Sequence, residues 1–210
     1  MPITKKEAEA IAKKIVIKVL EDKNYLLKLF KNLMDKEDAI RYPNAIALEI
    51  LCKENPHLIY PDWNFFVNLL KSKNAYHKSI AISTISNLIK IDEKNRFDEI
   101  FEDFFNLIDD KSVLVSRKLV INAFRIAIAK PALRAKITEI LLSINRTQHT
   151  SNRKDLIKGD IIESFSKYFK DIKNKEKIIQ FVKTQLESSS PRTVKKAKEF
   201  LSKWEEEITD

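Results

Sequence analysis

The residues best suited to chemistry in this sequence are three histidines, one cysteine and a run of carboxylates. His57, His77 and His149 stand far apart, and none has the His-x-x-x-His spacing by which a helix presents two ligands to zinc. Cys52 is the only cysteine of the 210 residues, so an internal disulfide and a thiolate metal cluster are both excluded. Its apolar helical surroundings predict a buried hydrophobic side chain. The sequence therefore predicts no metal and no other cofactor.

The carboxylates of the segment DEIFEDFFNLIDD fit a structural role. Glu99 and Glu102 or Asp103 share one side of a helix, as the polar residues of an amphipathic helix do. We interpret them as solvated residues rather than as a general acid and base. With no other catalytic grouping in the chain, the sequence favours a protein that is not an enzyme.

Basic residues form the most uneven feature of the chain. The formal net charge is +9, and residues 111–200 contain 21 Lys and Arg against 8 Asp and Glu. Such a block suggests an acidic partner: a nucleic acid, an acidic peptide or an anionic membrane surface. The alternative is that these residues form a solvated lysine-rich face without a partner. If the helices that carry them lie side by side, one basic groove would be formed by Lys118, Asn122, Arg125, Lys154, Lys158, Arg192, Lys195 and Lys196.

The longest polar connection, NRTQHTSNRKD, lies between two of these helices. It places His149 near Arg146, Arg153 and Lys154. Long loops of this kind often bind ligands. We interpret this one as a solvated loop and keep a binding loop as the alternative.

The elements that position these residues are predicted to be helices throughout. Gly159 is the only glycine, whereas tight hairpins, phosphate-binding loops and nucleophile elbows all need glycine for positive φ or close backbone approach. The composition, with 44% hydrophobic and 33% charged residues, is that of a globular protein. Thr4 and Glu7 form a capping box that opens the first helix, whose inner face is predicted to include Ala8 and Ile11.

The following helices alternate in pairs. The first helices of the pairs contain YLLKLFKNLMD, DWNFFVNLLKS, DEIFEDFFNLIDD, RAKITEILLSI and KEKIIQFVKTQLES, and a second helix follows each of them. Equivalent positions are separated by 37, 38, 36 and 42 residues and are occupied by Leu33, Leu70, Ile108, Ile144 and Leu186. A helix-pair period in this range is typical of HEAT and armadillo solenoids.

The second helices strengthen this interpretation. SVLVSRKLVINAF and SPRTVKKAKEFL resemble the second helix of HEAT repeats, whereas the corresponding IRYPNAIAL lacks the basic residue. The resemblance covers roughly residues 24–208. The sequence therefore predicts an all-α, right-handed α-solenoid of about five HEAT- or armadillo-like helix pairs in a single domain, 1–210, with an N-terminal capping helix in 1–23 and a C-terminal capping helix in 190–208. The last helix is predicted to have Ser190 as its N-cap and Pro191 at its first helical position, and its apolar side is predicted to extend to Trp204 and Ile208.

The segment SVLVSRKLVINAFRIAIAK is the most apolar of the second helices. An internal solenoid helix packs against neighbours on most sides, so we expect only a narrow strip to meet water. That strip is predicted to hold Lys111, Lys118, Asn122 and Arg125, with Arg117 beside them, and Phe124 is predicted to lie in the core.

Two functions remain open at this stage. The first is a non-catalytic scaffold or adaptor whose curved, C-terminally basic surface binds a protein or peptide. The second is a nucleic-acid-binding protein, because HEAT-like DNA alkylation repair glycosylases also use a basic concave face. Those enzymes rely on tryptophans and an acidic residue in the groove, whereas Trp63 and Trp204 stand near a helix start and in the terminal helix. The chain shows no signal peptide and no transmembrane run, and is expected to be cytoplasmic.

Overall fold

The computed structural model describes residues 3–205, which form α-helices joined by short turns and 3₁₀ segments. No strand occurs in this range, which confirms the predicted all-α class. None of the described helices is both long enough and apolar enough to cross a membrane. In chain order the helices are α1 (Lys5–Glu21), α2 (Tyr25–Leu33), α3 (Asp38–Glu54), α4 (Pro56–Ile59), α5 (Trp63–Leu70), α6 (Ala75–Leu88), α7 (Arg96–Phe105), α8 (Val113–Ala129), α9 (Arg134–Leu142), α10 (Ser151–Phe165), α11 (Glu176–Thr184) and α12 (Pro191–Lys203).

Helix α1 begins as the sequence predicts. The Thr4 hydroxyl accepts a hydrogen bond from the backbone N–H of Glu7 at 3.3 Å, and the Glu7 carboxylate accepts one from the backbone N–H of Thr4 at 2.9 Å. Two backbone donors at the helix start are thereby satisfied, which confirms the capping box. The predicted inner face is wrong at one position, because Ile11 is exposed and Ala12 is buried in its place.

The first compact unit ends at Arg96. Within it α3 contacts both α1 and α6, while α2 packs against α3 and α5 against α6. Aromatic rings join α2 to α5: Phe30 stacks on Phe65 with a centroid distance of 5.0 Å and meets the edge of Phe66 at 5.6 Å. Leu33 and Leu70, which the sequence places at equivalent positions, are both buried. The periodically spaced apolar residues of these helices therefore form the core of this unit.

The second compact unit begins at Phe97. Helix α10 contacts both α8 and α12, while α9 packs against α8 and α11 against α12. The three helices α8, α10 and α12 therefore lie side by side, as the predicted basic groove requires. The core of this unit includes a cluster of rings on α7, in which Phe97 lies 5.2 Å from Phe104 and Phe101 lies 4.8 Å from Phe105.

Leu186, the last of the five apolar positions predicted to be equivalent, is not buried like the others. Ile108 and Ile144 are buried, but Leu186 is exposed. Gln185 is buried instead, and its side-chain amide donates to the carbonyl oxygen of Phe181 at 3.0 Å. The three apolar residues all lie in 3₁₀ segments that follow a first helix, so the type of segment does not account for the difference, and in Gln185–Glu187 it is Gln185 that takes the buried place.

Helix α12 begins at Pro191 with Ser190 as its N-cap, as predicted. The Ser190 hydroxyl accepts from the backbone N–H of Thr193 at 3.3 Å, and proline needs no partner at the first helical position. Trp204 is buried against Phe169 with a centroid distance of 5.2 Å. The predicted continuation of the apolar side to Ile208 lies outside the described residues.

The single glycine allows α10 and α12 to approach closely. Gly159 has ordinary helical backbone, but a Cβ atom added there would lie 2.7 Å from the Thr193 side-chain oxygen. That oxygen is itself held in place, because it donates to the carbonyl oxygen of Asp155 at 2.6 Å. Gly159 is therefore needed for packing space rather than for a turn.

We expect Gly159→Ala to destabilise the protein. The overpacking cost of about 1–3 kcal/mol exceeds the roughly 1 kcal/mol gained from the helix propensity of alanine. Urea unfolding would measure the difference. In a Thr193→Ala background the clashing oxygen is gone, so there the same change should raise stability. If Gly159→Ala stabilises the protein that retains Thr193, the close approach of α10 to α12 is wrong.

Cys52 is fully buried in α3, as the sequence predicts. Burial raises the pKa of its thiol to about 12, because the apolar surroundings disfavour the thiolate. The thiolate is the species that attacks thiol reagents. We therefore expect a maleimide reagent to leave the folded protein unlabelled at neutral pH and to label it rapidly in denaturant. Equal labelling rates in the two conditions would contradict this placement.

Candidate binding surface

The residues that suggested chemistry are not assembled into a reactive site. His57, His77 and His149 lie on α4, on α6 and just before α10, and the described residues contain no group of three or more His, Cys, Asp or Glu that could hold a metal ion. Glu99 and Glu102 lie on the exposed side of α7, as predicted.

The polar connection before α10 is anchored, which corrects the prediction of a solvated loop. The His149 ring is buried, and its Nε2 atom lies 2.9 Å from the Ser116 hydroxyl and 3.2 Å from the carbonyl oxygen of Ile108. The backbone N–H of Gln148 donates to an Asp109 carboxylate oxygen at 2.7 Å. These bonds hold the segment against α8 and the turn that precedes it.

Helix α8 forms the centre of the predicted surface, and its apolar inner face fixes its orientation. Val115, Leu119, Ala123 and Ile126 are fully buried. Their spacing of three and four residues is that of one helix face, so the opposite side of α8 is directed outward. The helix contains no Asp or Glu.

The outward side of α8 combines apolar and basic residues. Leu114, Ile121 and Ile128 expose 54%, 41% and 47% of their surface. They stand seven residues apart, and partly exposed residues fill the positions three and four residues after the first two. We call this set the α8 stripe; it comprises Leu114, Arg117, Lys118, Ile121, Phe124, Arg125 and Ile128.

The α8 stripe differs from the strip that the helical wheel predicted. The sequence predicts Asn122 on the exposed strip and Phe124 in the core, whereas Asn122 is only 5% exposed and Phe124 is partly exposed. Both expectations are corrected. Helices α9 and α10 both pack against α8, and the sequence of an apolar helix does not indicate which of its sides such neighbours cover.

The buried side chain of Asn122 forms hydrogen bonds with two residues of the α8 stripe. Its side-chain amide donates to the carbonyl oxygen of Lys118 at 2.8 Å, and its side-chain oxygen accepts from Arg125 Nη1 at 3.2 Å. The Arg125 guanidinium also lies over the ring of Phe124, 4.7 Å from its centroid. These contacts hold Arg125 along the helix surface next to the partly exposed ring of Phe124.

Arg117 belongs to an ion-pair network that joins three helices around one buried carboxylate. Asp160 on α10 is fully buried, and its two carboxylate oxygens accept from Arg117 Nε at 2.6 Å and Nη2 at 3.4 Å. Nη2 of Arg192 on α12 lies 2.7 Å from the same carboxylate. The hydrogen bond to Asp160 raises the pKa of Arg117 above its usual value. The network fixes α8, α10 and α12 relative to one another.

The predicted basic residues of α10 and α12 are largely paired with carboxylates. Lys158 lies 3.2 Å from Asp155, and Lys154 donates to the carbonyl oxygen of Asn145 at 2.9 Å. A hydrogen bond from Ser189 lowers the pKa of Asp155, with Lys158 contributing. Neutralisation leaves α10 with less positive character than its sequence suggested.

On α12 the pairing is similar. Arg192 contacts Asp160, Lys195 lies 3.9 Å from Glu199, and Lys196 lies 3.1 Å from the other Glu199 oxygen. The hydrogen bond to Glu199 raises the pKa of Lys196. The eight predicted residues are therefore carried by three adjacent helices, but Lys118 and Arg125 are the two that lie together with exposed apolar side chains.

The exposed apolar residues of the stripe were missed in the sequence. Leu114, Ile121 and Ile128 were counted as part of a buried helix because the whole segment is apolar. Their seven-residue spacing and the basic residues between them were the available signal. Neither Trp63 nor Trp204 belongs to α8, and the side chains of both are buried.

Comparison with known proteins informs the fold alone. No family model matches the chain, and no curated protein matches it in sequence. The chain is similar to the crystal structure of an engineered protein solved by the Northeast Structural Genomics Consortium, with a TM-score of 0.50 and 16% sequence identity. The match covers 94% of this chain and 88% of that one. At this identity the likeness concerns the arrangement of helices and carries no function.

Proposed function

We propose that this protein is a non-catalytic scaffold of the HEAT-repeat type that binds a protein or peptide partner through the α8 stripe. The observation that carries the proposal is the row of three exposed aliphatic side chains on a helix that is otherwise apolar and basic. Contiguous exposed apolar surface flanked by polar residues is typical of protein-binding sites. Aromatic and arginine side chains, here Phe124 and Arg125, are also enriched at such interfaces.

We also propose that the helix pairs form a right-handed α-solenoid of about five repeats. The period of 36 to 42 residues supports this, as do the consecutive contacts of α1, α3 and α6 in one unit and of α8, α10 and α12 in the other. In solenoids one layer of helices lines the binding side, and the α8 stripe belongs to such a layer.

Nucleic acid is the alternative partner. The excess of Lys and Arg in residues 111–200 favours it, since phosphate binding depends on neutralisation by cations. Two observations speak for a protein instead. The phosphate backbone gains nothing from Leu114, Ile121 and Ile128, and several cations of α10 and α12 are paired with carboxylates.

Charge reversal on the stripe tests the proposal. In affinity capture from a cell extract, we expect Lys118→Glu/Arg125→Glu to lose partner proteins that the wild type retains. Thermal unfolding should show that the variant remains folded, because both side chains are partly exposed and such charges contribute little stability. The control is Lys5→Glu/Lys13→Glu, which reverses two exposed charges on α1 and should retain the partners.

The same variants are titrated with duplex and single-stranded DNA at two salt concentrations. Equal loss of partner proteins in both variants would contradict the proposal. Salt-sensitive DNA binding that disappears only in the α8 variant would replace the scaffold with the nucleic-acid alternative.

A further inference from the structure

Building on the proposed function, we infer that the occupant of the α8 stripe is a single amphipathic, acidic α-helix with a large apolar residue at every seventh position. Three features carry this inference. They are the spacing of the exposed apolar residues, the position of the two cations beside them, and the lack of any backbone that an extended peptide could pair with.

The spacing of the apolar residues suits a second helix. Leu114, Ile121 and Ile128 are separated by about 10.5 Å for each seven residues of helix, so the row is about 21 Å long. A seven-residue repeat drifts around a straight helix by only about 20° per repeat, so over two repeats the row stays on one side. Coiled-coil helices meet along the same seven-residue repeat with two apolar positions in each repeat; here Leu114, Ile121 and Ile128 fill one position, and Phe124 fills the second position once. A partner helix of about four turns matches the row in length.

The charges of the stripe select an acidic partner. Lys118 and Arg125 also stand seven residues apart and lie on one flank of the apolar row, and α8 itself contains no Asp or Glu. Asp or Glu at one flanking position of each heptad in the partner would face these two cations. Such pairs set partner choice and orientation in helix–helix recognition.

The same features disfavour other occupants. An extended peptide that binds by strand addition needs the free backbone groups of a sheet edge, whereas the backbone groups of α8 are bonded within the helix. A second copy of this chain, packed stripe to stripe, would place Lys118 and Arg125 against identical cations, which costs binding energy. An acidic helix from a different protein avoids both problems.

A synthetic peptide provides the test. It has about three heptads, with Leu at every seventh position and Glu at the flanking positions. One control peptide has the same composition in scrambled order, and a second replaces Glu with Lys. Fluorescence anisotropy of the labelled peptides measures their binding to the full-length protein, to Ile121→Ser and to Lys118→Glu/Arg125→Glu. Ile121 is exposed, so thermal unfolding should show that these variants remain folded.

We expect the wild type to bind the Glu peptide at least about tenfold more tightly than the scrambled one, and Ile121→Ser to lose about tenfold, as central interface residues do. The charge-reversed protein should instead prefer the Lys peptide. The inference is overturned if the scrambled peptide binds equally well, if Ile121→Ser binds like the wild type, or if single-stranded DNA binds at the stripe in place of the peptide. If no peptide binds while the stripe still captures proteins from the extract, the helical occupant is wrong and the scaffold proposal stands.

Discussion

Replacing Asp160 with Ala is expected to lower the free energy of unfolding by about 3 kcal/mol. Removing one partner of a buried ion pair costs roughly 3–5 kcal/mol because the remaining charge is left uncompensated. Here two remaining charges, Arg117 and Arg192, have side chains that are 33% and 42% exposed. Both can regain some hydration, so the lower end of that range is expected. Urea denaturation of the variant would measure the loss.

Glu163→Gln is the matched control for Asp160→Ala. Glu163 also contacts Arg192 and Lys196, at 4.0 and 3.7 Å, but its side chain is nearly half exposed. Solvent screening limits such pairs to about 1 kcal/mol or less. Similar losses in the two variants would mean that Asp160 does not connect α8, α10 and α12 in the way described here.

Phe104→Ala is expected to cost about 3–5 kcal/mol, because a fully buried ring leaves a cavity that its surroundings only partly fill. Phe104 contacts Phe97 and Phe105 within the α7 cluster, with centroid distances of 5.2 and 5.4 Å. Phe124→Ala should cost no more than about 1.5 kcal/mol, since a partly exposed ring loses only part of its transfer free energy.

The two phenylalanine variants are compared in the same denaturant unfolding experiment. The contrast tests the corrected orientation of α8, in which Phe124 lies on the stripe rather than in the core. If Phe124→Ala destabilises the protein as much as Phe104→Ala, the outward side of α8 has been assigned to the wrong residues.

The parts of the fold that depend on local interactions could be predicted from the sequence. Helix starts followed from Thr4, Glu7, Ser190 and Pro191, whose capping chemistry acts within one turn. The helix pairs could be predicted from the periodic spacing of apolar residues and from the scarcity of glycine, since Gly159 is the only one. The close contact of Gly159 with Thr193 was not foreseen, because the two residues belong to different helices and nothing local indicates that these meet.

The candidate site was predicted only in part for the same reason. Lys118 and Arg125 were recognised because a helix places them on one side. Which side of an apolar helix faces outward depends on its neighbours, and so the exposure of Ile121 and the burial of Asn122 became clear only in the structure. The pairing of Arg117 and Arg192 with Asp160 likewise joins residues far apart in the chain.

Photo-cross-linking from the centre of the α8 stripe tests the central claim most directly. A photoreactive phenylalanine analogue replaces Ile121 in one variant and Lys183, an exposed residue of α11 away from the stripe, in the other. After irradiation of cell extract, we predict that the Ile121 variant forms a covalent product with a specific protein and that the Lys183 variant does not. If both variants give the same products, or if the Ile121 variant cross-links only to nucleic acid, the α8 stripe is not a protein-binding surface.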